Sequence, residues 1–130
     1  MFTLEQIKQA HSKVKSGADF PSYIQEIIGL WVTSYTTFVG DGHAQYYGVD
    51  GYTIASPAKY DAISIAAQTD KDHFIKELKV HQQGWSDYMT FCTMAAASGI
   101  SKRIMDMQAM TCSYYDIADN AILVEQIPSI

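Results

Sequence analysis

The feature that most constrains this chain is a change of period along it, from helical to extended and back again. Apolar residues recur at helical spacing up to Trp31, and the next stretch is dense in Val, Thr, Tyr and Phe, broken only by Gly40-Asp41-Gly42 and Asp50-Gly51. Helical spacing resumes near Asp70 and gives way to extended runs after Gly99. Strands joined by such short turns pair antiparallel, because a parallel pair needs a crossover of a dozen or more residues. The pattern therefore predicts an α+β fold in the order ααβββ(β)ααβββ, with helices packed on one face of an antiparallel sheet. The 130 residues suit a single α+β domain, 1–130.

Local signals place the elements. Thr3 and Gln6 are spaced for a capping box, and Leu4, Ile7, His11 and Val14 follow at helical spacing until Gly17. Pro21 suits a first helical turn, after which Tyr23, Ile24, Ile27, Ile28 and Trp31 form a wide apolar face. Residues 32–39, 43–49 and 52–56 read as a meander, and 62–66 as one more short strand. Thr69 or Asp70 can cap a helix carrying Phe74, Ile75, Leu78 and His81 as far as Gly84. Ser86 can cap the next, with Tyr88, Phe91, Cys92 and Ala95 on one side and Gly99 as its stop. Strands are expected over 103–107, 111–115 and 121–127, with a turn at 116–120. Adjacent tyrosines in a strand point to opposite faces, so one of Tyr46/Tyr47 and one of Tyr114/Tyr115 leaves the core. The letters show no repeat, linker or low-complexity tract.

Charge and cysteine usage exclude several classes. Fourteen acidic residues against nine basic ones leave a net charge of −5, and Arg103 is the single arginine. Phosphate neutralisation needs clustered Lys and Arg, so nucleic acid is not an expected partner. No apolar run reaches the roughly 18 to 20 residues that span a bilayer, and the start has no basic stretch followed by an apolar block. No membrane role and a cytoplasmic location are expected. Cys92 and Cys112 stand far apart without a C-x-x-C pair, which predicts reduced thiols rather than a disulfide framework or zinc ribbon.

Several strings in collinear order resemble one family. They are Tyr47-Gly48-Val49-Asp50-Gly51, His81-Gln82-Gln83-Gly84, Asp87-Tyr88 with Phe91-Cys92, Met110-Thr111-Cys112-Ser113-Tyr114-Tyr115-Asp116, and Glu125-Gln126-Ile127-Pro128. Together they resemble the YbcV-like family, small bacterial proteins of unknown function that are often prophage-borne, some labelled phage envelope protein. The resemblance covers nearly the whole chain, implies a prophage association, and brings no catalytic residues with it.

The richest chemical grouping is His81, Asp87, Tyr88 and Cys92, at the corner where one helix ends and the next begins. A Cys–His pair can make a nucleophile if the sulfur lies within hydrogen-bond reach of the imidazole, and a carboxylate in a first helical turn is favoured as an anion. The packing reading of the same residues has more weight. His81 extends the Phe74–Leu78 stripe, and free cysteine is among the most buried residue types. His11, His43, His73 and His81 are scattered without helical ligand spacing, so neither a metal nor a cofactor is expected. Gly40-Asp41-Gly42 and Asp50-Gly51 link strands rather than opening a helix, which is turn chemistry and not a phosphate cradle. An outward tyrosine patch suits recognition. The leading expectation is a small non-enzymatic binding or interaction domain with a protein or small-molecule partner. The alternative is a small hydrolase or transferase using His81 and Cys92. Short strands at the sheet edges lean toward a homodimer.

Overall fold

Helix α1 (Leu4–His11) starts where its first turn is closed reciprocally: Gln6 N–H donates to Thr3 Oγ1 at 3.2 Å, and Thr3 N–H donates to Gln6 Oε1 at 2.9 Å. The computed structural model describes residues 2–14, 19–82 and 88–127; Gly17, Gly84, Ser86 and Asp87 lie outside them. Helix α2 (Phe20–Gly29) opens on Pro21. After β1 (Val32–Phe38), β2 (Ala44–Gly48) and β3 (Thr53–Ala55), α3 (Lys71–Gln82) is capped by Asp70, whose carboxylate accepts from His73 N–H at 3.1 Å. Helix α4 (Tyr88–Ala97) leads into β4 (Ile100–Asp106), β5 (Thr111–Asp116) and β6 (Ala121–Gln126).

The strands lie in the order β3-β2-β1-β4-β5-β6, and each neighbouring pair is antiparallel. Register settles the faces. Tyr46, Tyr35, Met105 and Cys112 make one cross-strand row, and Ala44, Thr37, Arg103 and Tyr114 make the next row on the same face. Ile7, Ile24, Ile27, Phe74, Leu78 and Ala95 from the four helices join that face in one buried core. The other face carries Gln45, Thr36, Ile104, Ser113 and Val124, the last 55% exposed. Tyr46 and Tyr114 are buried in the core, while Tyr47 and Tyr115 turn away from it and remain half-buried.

Two expectations need correction. Residues 62–66 form no strand: Ile63 N–H donates to Gly40 C=O and Ala66 N–H to Ala96 C=O, so the backbone is tied at single points as it crosses from β3 to α3. Trp31 does not extend the apolar face of α2. The helix ends before it, and Trp31 takes φ +75° with 71% of its surface exposed.

The expected lack of a repeat is also corrected, because the fold is a duplicated ααβββ unit. A step of 68 carries α2 (Phe20–Gly29) onto α4 (Tyr88–Ala97) and β1 (Val32–Phe38) onto β4 (Ile100–Asp106). The same step relates three pairs of residues with positive φ: Trp31 and Gly99, Gly42 and Met110, Gly51 and Asp119. It also relates Thr36 to Ile104, which face each other across the central β1–β4 ladder, so a pseudo-twofold axis passes between them. The two halves share backbone turns but few side chains, which hides the repeat in the letters. Gly99 shows why one copy needs glycine: a Cβ there would stand 2.7 Å from Gln68 O.

Candidate functional site

Arg103 points into the core side of the sheet, between Thr37 of β1 and Tyr114 of β5. A guanidinium on an inward strand position lays its methylenes along apolar neighbours while its head needs polar or anionic company. There it borders a cavity of about 30 Å³, closed above by Phe91, Cys92 and Ala95 of α4 and at one side by Tyr60. Tyr60 is held in place by its hydroxyl, which donates to Val39 C=O.

The two halves explain why the cavity exists. Stepping back by 68 turns Phe91, Cys92 and Ala95 into Tyr23, Ile24 and Ile27, and turns Arg103 and Tyr114 into Tyr35 and Tyr46. In the first half this volume is filled: Ile24 and Ile27 are fully buried, the Tyr35 and Tyr46 rings lie 5.2 Å apart, and the Tyr23 and Tyr46 hydroxyls share a hydrogen bond. In the second half the two isoleucines are a cysteine and an alanine. A water-sized space adjoins these smaller side chains, the rest of the lost volume being taken up by their neighbours.

His11 stands with its ring edge-on to Tyr23, centroids 5.3 Å apart, and its pKa is lowered first by desolvation and then by Lys59 and Arg103. Lys59 precedes the cavity-lining Tyr60, and its pKa is lowered first by desolvation and then by Arg103. Burial pushes the Cys112 thiol up and outweighs the opposing influence of Arg103 and of the neighbouring Tyr114 hydroxyl, so the neutral thiol is favoured. Burial likewise raises Tyr114.

Of the residues singled out in the sequence, His81 stacks on Phe91, ring centroids 4.3 Å apart and 16° from parallel. Cys92 is buried and turns into the cavity beside Arg103. Tyr88 opens α4, and Asp87 lies outside the described residues. His81 and Cys92 thus meet through Phe91, whose ring contacts the imidazole and also lines the cavity. Sequence reasoning missed Arg103 as a site residue, although its alternation with Met105 and Met107 already places it on the face of those two buried side chains.

Elsewhere, local chemistry accounts for the polar groups. Asp41 accepts from His43 N–H at 3.0 Å and pairs with the His43 ring, which lowers the Asp41 pKa and shapes the β1–β2 turn. Asp116 accepts from Ala118 and Asn120 N–H in the β5–β6 turn, and its pKa is lowered, chiefly by the Asn120 N–H. Among the described residues, no group of three or more His, Cys, Asp or Glu could hold a metal ion, and no helix is long and apolar enough to cross a membrane.

A comparison with curated proteins gave no match. A family model described as a protein of unknown function (DUF1398) matches residues 8–126, and the chain, with its duplicated unit and its arginine-bordered cavity, belongs to that family.

Proposed function

We propose that this chain is a small non-enzymatic binding domain that receives its ligand at the seam between its two halves. The observation that carries the reading is the cavity beside Arg103, where the second half lacks the volume that Ile24 and Ile27 supply in the first. The space is water-sized as it stands, so a guest larger than a water enters only as the α4 wall moves outward. The resemblance to the often prophage-borne YbcV-like proteins supports a phage-related setting for that guest.

The competing reading is a hydrolase or transferase using Cys92 with His81. It requires a thiolate at neutral pH, whereas Cys92 is only 4% exposed and the His81 ring lies flat on Phe91. Alkylation of the native chain near pH 7, followed residue by residue by mass spectrometry, separates the two. Cys92 is expected to react much more slowly than a free-thiol peptide and to match it only after unfolding. Native alkylation faster than the peptide overturns the binding-domain reading in favour of the nucleophile.

A further inference from the structure

We propose that the sheet face turned away from the helices pairs with the same face of a second copy, each chain seating its Lys102 beside the partner's Asp106. All four helices pack their buried residues against the Tyr35–Met105 face. The opposite face is left with the row Thr36–Ile104–Ser113–Val124, in which Val124 is 55% exposed. A second sheet stacked on that row covers its branched side chains.

Three observations commit the face to another copy of this chain. The first is charge along one strand. Lys102, Ile104 and Asp106 alternate on β4 and share the open face. A twofold axis lying across the strands through Ile104 runs β4 antiparallel over the partner's β4. Lys102 then stands over the partner's Asp106, and the pair occurs twice. An axis along the strands, between β1 and β4, instead sets Lys102 over the partner's Phe38 and Asp106 over Ser34, with no ion pair. Charge therefore selects the first axis. The roughly 30° turn between stacked sheets shifts each pair, about 6.6 Å from that axis, by only about 3 Å, which a lysine stem spans.

The second observation is shape. The step of 68 places Ser34 in the first half where Lys102 stands in the second. Lys102 is held by its own half: its ammonium pairs with Asp119 at 2.8 Å and lies 5.5 Å from the Tyr115 ring centre. The short Ser34 borders an open polar groove, shared with Thr33, Asp50 and Asp106. Asp106 is fixed there by its Oδ1, which accepts from Gln108 and Ala109 N–H at 2.9 and 3.1 Å. The half with the long cation thus meets the half with the acidic groove. The third is area. Six strands about 4.8 Å apart, each about six residues long, offer roughly 600 Å² per copy, or about 1,200 Å² buried in all. That is the lower end for a stable interface, so the dimer is expected to be reversible, with a Kd on the order of tens of micromolar.

Sedimentation equilibrium of the full chain between about 5 and 500 µM tests the proposal. The average mass is expected to rise from 14.5 kDa toward twice that value. Ile104→Glu and Val124→Glu each set two carboxylates against one another across the axis, and each is expected to leave only monomer. Two positions are used so that one misfolded variant does not remove the test. Lys102→Asp and Asp106→Lys each bring like charges together and should weaken association by about tenfold or more. Mixed in equal amounts, the two variants regain opposite charges in both pairs, and the mixture should recover the wild-type dimer. Asp106→Asn, which keeps the acceptor for Gln108 and Ala109, replaces Asp106→Lys in the single-variant comparison if the latter unfolds. Monomer alone at the highest concentration would overturn the proposal. A dimer indifferent to Ile104→Glu would overturn it in favour of pairing at the sheet edges. A dimer broken by Ile104→Glu but unchanged by the charge exchanges would overturn the axis and, with it, the Lys102–Asp106 seat.

Discussion

Equivalent positions in the two halves should respond oppositely to changes of volume. Ile27 in α2 is fully buried, and its repeat mate Ala95 in α4 borders the cavity. Ile27→Ala removes about three buried carbons, worth roughly 2.4 kcal/mol at about 0.8 kcal/mol each. A residual void of roughly 50 Å³ adds about 1.2 kcal/mol at about 24 cal/mol per Å³, giving about 3–4 kcal/mol in all. The reverse change, Ala95→Ile, adds the same carbons beside existing space. Its burial gain of about 2.4 kcal/mol is opposed by an overpacking cost of about 1–3 kcal/mol, so the net change should stay within about 1 kcal/mol of zero. Urea melts read both values, with the slope checked to confirm that the denatured state is unaltered. Comparable losses of 3 kcal/mol or more in both variants would show that no usable space adjoins Ala95, and the argument from the duplicated halves would fail.

Acid should weaken the fold partly through His11. Its folded pKa lies below the ordinary 6.5, because of desolvation first and then Lys59 and Arg103, so the unfolded chain binds the proton more readily. The stability it contributes is complete above about pH 6.5 and is lost as the pH falls through the lower folded value. Melts of wild type and His11→Gln over this range should diverge, with the flatter profile belonging to the variant; parallel profiles would refute the assignment. His81→Gln gives up the stack on Phe91 and should cost about 1 kcal/mol in a urea melt, against no change if the imidazole has no packing role.

The fold was legible where a local signal and the global arrangement agree. The Thr3–Gln6 box, the Asp70 cap and the two tight turns of the first meander mark boundaries that hold, because each satisfies backbone groups within a few residues. Residues 62–66 misled because Ile63 and Ile65 alternating about Ser64 look like a strand, while the partners of that backbone are the distant Gly40 and Ala96. Trp31 misled for a related reason: spacing places it on the α2 face, but the turn into β1 needs a left-handed residue there, and spacing carries no information about φ. The site was only half legible. Cys92 and His81 stood out by chemistry, but the opening at Ala95 and the inward aim of Arg103 depend on cross-strand register and on comparison between halves that share few letters.

The central ladder also bears on how the chain is made. β1 (Val32–Phe38) has no partner on its β4 side until residues 100–106 have left the ribosome, so a nascent first half presents an open strand in the middle of the eventual sheet. Such an edge is matched by the same edge on another nascent copy. Pairing β1 with β1 about Thr36 would replace the pseudo-twofold axis by a true one and mimic the native seam. Assembly of the second half is thus a race between closure within one polypeptide and capture by a neighbour on the same message. That places a premium on prompt synthesis between the two halves, where slow codons would prolong the exposed interval.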